Sequence, residues 1–320
     1  MKAIEVNSHG GAEVLALAEL ADPVPGAGQL LVRLAACGVN YIDTYHRRGL
    51  YPRPLPFVPG TEGAGEVVAA GAGVDPAIVG RRVASADLAG AYAEFSLVNA
   101  DRAVPLPDDL GDELGAAAML QGMTAHYLVH DSYRVQPGDS VLVHAAAGGM
   151  GLLLTQYATA LGARVIATAS TPEKAELART AGAAEVLGYD GFADAVRDLT
   201  GGEGVAAVYD GVGRSTFDGS LASLRRRGIL VLYGQSSGPV PPFDPARLAA
   251  AGSLSLTRPT LTHFVVTADE LNRRAGDVLR RVADGSLSLR IGARYPLAEA
   301  RRAHEDLENR RTTGKLLLIP

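Results

Sequence analysis

The chain has one cysteine, Cys37, and no tryptophan among 320 residues. A single thiol excludes an internal disulfide and a four-cysteine structural zinc site. No run of about 18 or more apolar residues occurs, so no membrane-spanning helix is expected. Aromatic residues make up only 5% of the chain and the formal net charge is −5. That balance supplies neither the basic field nor the stacking platforms of a nucleic-acid groove. It also gives no general attraction to an acidic membrane surface. The seven histidines form no two- or three-residue metal spacing. His126 and His130 stand four apart in an apolar stretch, which reads as packing or surface. Internal repeats and low-complexity tracts are missing.

What is present is a globular composition, 47% hydrophobic and 20% charged, over a length that suits two domains. The N-terminus, Met1-Lys-Ala-Ile-Glu-Val, alternates like a strand and does not resemble a signal peptide. With the lone thiol, this predicts a soluble protein of a reduced, cytoplasmic compartment.

Residues 1 to about 118 read as mostly β. Leu30–Leu34, Gly65–Ala69 and Arg82–Ala84 are short apolar runs separated by glycine and proline turns. From about 119 to 257 the pattern becomes α/β. Strands are expected near 141–144, 164–168, 184–187, 205–209, 228–233 and 253–257. Helices are expected near 150–161, 172–181, 191–199, 215–226 and 245–251. This predicts a doubly wound parallel sheet. After 257 come a long helix (269–284), a strand near 289–294, a helix (297–308) and the apolar strand Lys315–Ile319. That tail does not extend the parallel sheet and is expected to return to the first domain.

The most informative stretch is Val141-Leu-Val-His-Ala-Ala-Ala-Gly-Gly-Met-Gly151. It reads as a buried strand, a glycine turn and an apolar helix. Gly148 and Gly149 permit a sharp turn and close ligand approach. Gly151 lets the new helix lie close to the strand. Free N–H groups and the positive helix end then face the turn, which makes a phosphate site. Ala146, Gly148 and Gly151 take the three glycine places of the dinucleotide fingerprint, so the first is substituted. The next strand ends Ala167-Thr-Ala-Ser170, without the acid that would bind a ribose 2′-hydroxyl. Lys174 follows at the start of the next helix, where a cation can meet a 2′-phosphate. These residues favour NADPH over NADH.

Seven segments together resemble the NADPH:quinone oxidoreductases, the zeta-crystallin-like, zinc-free branch of the medium-chain dehydrogenase/reductases. They are Met1–Ile4, Ala36–Asp43, Pro59–Gly63, Ala145–Gly151, Tyr209–Gly213, Tyr233–Gly238 and Thr313–Pro320. The resemblance implies a GroES-like catalytic domain (1–118 and 258–320) around an inserted Rossmann domain (119–257). It implies that Ser170, Lys174 and Tyr189 clamp the 2′-phosphate of NADPH, and that Ala147, Gly148, Gly149 and Met150 hold its pyrophosphate. Tyr233, Gly234, Gln235 and Ser236 fall beside the nicotinamide half, with Thr124 near the pyrophosphate or nicotinamide. Asn40, Tyr45 and Tyr51 would line the acceptor pocket and Arg258 would close it, with Asn40 and Tyr45 also reaching the cofactor. Asp43 orients this loop, or caps a helix.

Gly60-Thr61-Glu62 stands where zinc-dependent cousins carry Gly-His-Glu, and Asn40 and Asp43 are poor ligands for a catalytic zinc. A metal-free enzyme is expected. Without a Lewis acid an ordinary ketone is poorly polarised, whereas a quinone or another conjugated acceptor needs less help. The leading reading is an NADPH-dependent quinone reductase. The alternatives are an enoyl-thioester or alkenal reductase, with Arg47, Arg48 and Arg53 as candidates for a coenzyme A phosphate, and a non-enzymatic crystallin-like or RNA-binding role. Strand 253–257 at a sheet edge predicts a homodimer.

Overall fold

The computed structural model describes all 320 residues. The chain divides into two compact units, Met1–Met123 with Val265–Pro320, and Thr124–Phe264. The sequence changes texture at about 118 and 257, a few residues before each division. The reason is local. Helix Asp112–Tyr127 carries on through the first change, and Phe264 stacks on Tyr127 with ring centroids 4.1 Å apart.

The first unit begins with strands β1 (Lys2–Val6) and β2 (Leu15–Glu19), which pair antiparallel. Strand β3 (Gln29–Val39) is the backbone of this unit. Helix α1 (Tyr41–Arg47) follows it directly, then β4 (Glu62–Ala70), β5 (Arg82–Ser85), β6 (Phe95–Asn99), β7 (Val104–Pro105) and α2 (Asp112–Tyr127). Helix α2 passes into a wider π turn at Leu128–Ser132. Strand β3 pairs antiparallel with β4, and Gly65 permits the approach, since a Cβ there would meet the Arg33 backbone 2.8 Å away at its carbonyl carbon.

The second unit carries β8 (Ser140–Val143), α3 (Gly149–Ala160), β9 (Arg164–Thr168), α4 (Pro172–Thr180), β10 (Glu185–Leu187) and α5 (Phe192–Leu199). Strand β11 (Val205–Asp210), α6 (Phe217–Ala222), β12 (Leu224–Leu232), α7 (Ala246–Ala250) and β13 (Ser255–Thr257) complete it. Its sheet runs β10-β9-β8-β11-β12-β13 with every pair parallel. This is the doubly wound order, with the reversal between β8 and β11. Strand β11 is buried along its whole length, which explains the unbroken apolar run from Val205 to Val208. Leu142, Ile166, Val208 and Leu230 meet in one core with Phe192 and Phe217.

One expected helix is shortened. The sequence pattern predicts a helix over 215–226, but the helix stops at Ala222 and β12 starts at Leu224. Leu224 is fully buried and pairs with Val205, while Arg225–Arg227 are exposed. A register shift beside that pair, with Arg227 left-handed at φ 59°, absorbs the arginines without breaking the strand.

The chain then returns to the first unit through α8 (Ala268–Ala283), β14 (Ile291–Pro296), α9 (Ala300–Glu308) and β15 (Lys315–Ile319). Thr267 caps α8 with Glu270 in a capping box. Strand β15 pairs antiparallel with β3 and parallel with β14. The C-terminal tail therefore completes the sheet started by the N-terminal segment. Leu316 and Leu318 join Val32, Val39, Val67 and Tyr92 in that unit's core.

Candidate functional site

In the second unit, strand β8 delivers His144 and then a tight turn. Ala145 takes a left-handed conformation, φ 51°, and is exposed, while Ala146 and Ala147 are buried. An L-residue there costs about 1–2 kcal/mol, so its surroundings must hold it. The Ala145 carbonyl accepts from Gly148 N–H at 2.9 Å. Gly148 is the N-cap of α3 and supplies no side-chain cap. Gly149 and Met150, both half-buried, open the helix. A Cβ on Gly151 would stand 2.5 Å from Ala146 Cα, so only glycine lets the helix sit this close to the turn. The result is an uncapped helix start facing a glycine-lined turn, the arrangement that receives a phosphate.

Strand β9 ends at Thr168. Ser170 is exposed, and Thr171 caps α4 by accepting from Lys174 N–H at 3.3 Å. Lys174 is half-buried in the first turn of that helix. Tyr189, half-buried just past β10, lies nearly parallel to the His144 ring, centroids 6.2 Å apart. At the carboxyl ends of β11 and β12 the segment 233–237 is stitched to 211–212. Ser236 N–H donates to Gly211 O at 3.1 Å and Ser237 N–H to Val212 O at 2.8 Å. A Cβ on Gly234 would meet Gly211 O at 2.6 Å. The Tyr233 ring lies against Gly211. Gln235 and Ser236 are half-buried in that loop, and Thr124 is half-buried in α2. Arg258 is exposed, and its guanidinium donates to Leu232 O at 3.0 Å, at the end of β12.

In the first unit, Asn40 is the N-cap of α1 and is buried. Its backbone N–H donates to Asp43 Oδ2 at 2.8 Å. Asp43 is thus the third helical residue, not the cap, and it fixes the entry of the loop into α1. Asn40 Nδ2 donates to Glu62 Oε2 at 2.7 Å. Asn40 Oδ1 accepts from Lys315 Nζ at 2.7 Å and from Gln121 Nε2 at 3.2 Å. These partners set which way the amide faces. Tyr45, 8% exposed, meets Tyr51 edge-on at 5.4 Å. Tyr51 is 36% exposed, so the pair leads from the interior to the surface.

A second buried chain runs behind this loop. Arg47, fully buried, donates to His304 Nδ1 at 3.0 Å. Guanidinium can only donate, so Nδ1 is an acceptor and Nε2 carries the proton toward Tyr92 Oη at 2.9 Å. Tyr92 then donates to Asp43 Oδ2 at 2.9 Å. Burial holds His304 down to about 3, helped by the Arg47 charge. Burial pushes Asp43 up to about 6 against the hydrogen bonds from Asn40 and Tyr92. One of its oxygens, Oδ1, is buried without a hydrogen-bond partner, which is why burial wins.

Residues 149–275 match the zinc-binding dehydrogenase family and residues 26–108 the alcohol dehydrogenase GroES-like domain. The quinone oxidoreductase of Pseudomonas aeruginosa is 44% identical over 100% of this chain and 99% of its own length. The chain belongs to the quinone oxidoreductase family. A mycobacterial protein solved in complex with NADPH is 54% identical and superposes with a TM-score of 0.98, covering 100% of both chains. The 2-haloacrylate reductase of a Burkholderia species is 41% identical over 98% of each chain.

The zinc in the first family's description finds no matching ligand set in this quinone oxidoreductase family member. No three His, Cys, Asp or Glu side chains stand together to hold a metal ion. Cys37 is packed in the core of the first unit, and burial pushes its thiol up to about 12, away from the thiolate a metal needs. Glu62 is committed to Lys315, to Asn40 and, through Oε1, to Leu120 N–H at 2.6 Å. These residues do not fit a zinc ion. Lys315 is 2% exposed and Glu62 0%. A buried ion pair of this kind persists only when further hydrogen bonds satisfy it, and Asn40 supplies them.

Sequence reasoning missed Glu62 and Lys315 as partners of Asn40. Both lie inside family motifs, Pro59–Gly63 and Thr313–Pro320, and a charged residue opening the apolar run Leu316–Leu318 is a signal of a buried pair. It also missed Thr171 as the cap beneath Lys174. His126 and His130 lie with their rings tilted against each other, centroids 4.5 Å apart, and both meet Tyr157 edge-on, as packing residues do.

Proposed function

We propose that this chain is an NADPH-dependent quinone reductase. The observation that carries the reading is the uncapped, glycine-lined start of α3. Beside it a second strand ends without a ribose acid and leads into Lys174. Ala147, Gly148, Gly149 and Met150 are assigned to the pyrophosphate. Ser170, Lys174 and Tyr189 are assigned to the 2′-phosphate. Thr124, Tyr233, Gly234, Gln235 and Ser236 are assigned to the nicotinamide half. Asn40, Tyr45, Tyr51 and Arg258 are assigned to the acceptor, with Asn40 and Tyr45 shared with the cofactor.

NADPH, when bound, supplies the hydride. The chain's own residues supply binding and orientation. A quinone already has the electron-poor, conjugated carbonyl that lets positioning and hydrogen bonding suffice. Asn40 is held rigidly by Lys315, Gln121 and Glu62, so it spends no ordering entropy when the acceptor arrives. The Tyr45–Tyr51 pair offers aromatic faces for a flat ring. The protein works in the cytoplasm as a homodimer, joined at the edge strand of the parallel sheet.

A second reading shares the same residues. The resemblance to a 2-haloacrylate reductase at 41% identity supports hydride delivery to a conjugated alkene. Steady-state rates with NADPH against a panel of quinones, 2-haloacrylates, alkenals and enoyl thioesters separate the two. We expect the largest kcat/KM with quinones. Negligible quinone turnover beside rapid alkene reduction would replace the first reading with the second.

A further inference from the structure

We infer that Asp210, Ser220, His144 and Thr168 form a one-directional hydrogen-bond relay that shapes the phosphate turn and so sets the affinity for the nucleotide. The inference rests on the reading of that turn as the NADPH pyrophosphate site. All four residues are fully buried. None stands among the residues assigned to cofactor or acceptor, so they are positioning residues.

The direction follows from what each group can donate. Asp210 Oδ1 accepts from the N–H groups of Val212 and Gly213 at 2.8 and 2.9 Å. Its Oδ2 accepts from Thr216 Oγ1 at 2.7 Å and Ser220 Oγ at 2.8 Å. A carboxylate only accepts, so Ser220 spends its single hydrogen there. Toward His144 Nε2, 3.0 Å away, Ser220 therefore accepts, and Nε2 carries the ring proton. Burial disfavours the charged imidazole, so Nδ1 is left as an acceptor. Thr168 Oγ1 donates to it at 2.9 Å. Having spent its hydrogen, that oxygen accepts from Ala145 N–H at 3.3 Å.

The relay thus ends on the one residue of the turn that is left-handed without being glycine. The Thr168 carbonyl also accepts from Ala146 N–H at 3.0 Å, so one threonine grips two successive turn residues. Ala145 in turn directs its carbonyl to Gly148, the N-cap of α3. Displacing Ala145 shifts the N–H groups that would face a phosphate. The same imidazole carries the Tyr189 ring over it, with Phe192 edge-on at 4.9 Å.

The test measures nucleotide binding by the full chain and the His144 tautomer by ¹⁵N NMR. Thr168→Val keeps the shape and deletes the hydroxyl. We expect it to weaken NADPH and NADH alike, on the order of tenfold, as for a buried acceptor, His144 Nδ1, left unpaired. The rate at saturating NADPH should stay within about twofold. Thr168→Ser restores binding. His144 should carry its proton on Nε2 in the wild type and move toward the Nδ1–H form in Ser220→Ala. Should Thr168→Val fail to fold, Ser220→Ala carries the binding arm, with a loss in the same sense. Unchanged binding in the variants, or an Nδ1–H tautomer in the wild type, overturns the relay. A wild-type chain that binds neither nucleotide overturns the cofactor reading itself, a result distinct from either.

Discussion

His304 is an imidazole placed where a proton would be repelled. Arg47 donates to one ring nitrogen and the other donates to Tyr92, so the neutral ring satisfies both neighbours. Its folded value of about 3 lies below the usual 6.5. Between those values the unfolded chain binds more protons than the folded one, so stability rises with pH. The contribution is complete above 6.5 and is lost as pH falls toward 3. Asp43 acts in the opposite sense, because its folded value of about 6 lies above the usual 3.8. Its contribution is present below 3.8 and is lost as pH rises through 6. The two oppose each other between about pH 4 and 6, and the larger histidine shift dominates the acid side. His304→Gln can still accept from Arg47 and donate to Tyr92 but does not titrate. We expect its melting temperature to fall by a few degrees less than that of the wild type between pH 6.5 and 4. Parallel curves for the two proteins would remove His304 as the source.

At the scale of elements, α3 and the turn before it behave as one piece because Gly151 lets them touch. Gly151→Ala places a methyl against the Ala145 carbonyl and Ala146 Cα, both backbone, so the turn must move. The helix itself tolerates alanine better than glycine. The backbone clash outweighs that gain, so stability should fall by about 1–3 kcal/mol, while NADPH affinity falls by about tenfold or more, equivalent to at least about 1.4 kcal/mol. Titration of nucleotide fluorescence checks this, and wild-type affinity in the variant would refute it. This strand–turn–helix was legible in the sequence because glycine spacing and an unbroken apolar strand are local signals. The doubly wound parallel class of the second unit was legible from its alternating strands and helices. The helix read over 215–226 was not, because Leu224 is decided by its pairing with Val205. The partners of Asn40 were equally hidden. Lys315 lies 275 positions away, and periodicity reports which face a side chain takes, not whom it meets there. Both hydrogen-bond relays needed coordinates for that reason.

Each unit has its own core and its own large sheet, and the first unit adds the two-stranded β1–β2 sheet. The six-stranded parallel sheet ends at β13, three residues long, with no strand of this chain on its outer side. An unpaired ladder invites a two-fold partner, and so short an edge discourages open-ended addition. Light scattering should therefore give twice the 33.1 kDa of the chain, and a particle of 33.1 kDa would refute the dimer.

The placing of Lys315 has a consequence in time. Strand β15 supplies the only cation that meets Glu62, and Glu62 in turn holds Asn40. A growing chain that has not yet reached residue 315 cannot bury Glu62 beside its counter-ion, and burying it alone would be strongly unfavourable. The first unit can gather its other strands during synthesis, but the loop at Asn40 acquires its final shape only once β15 has been made and docked. A chain that ends before residue 315 would therefore lack the ion pair that holds Asn40.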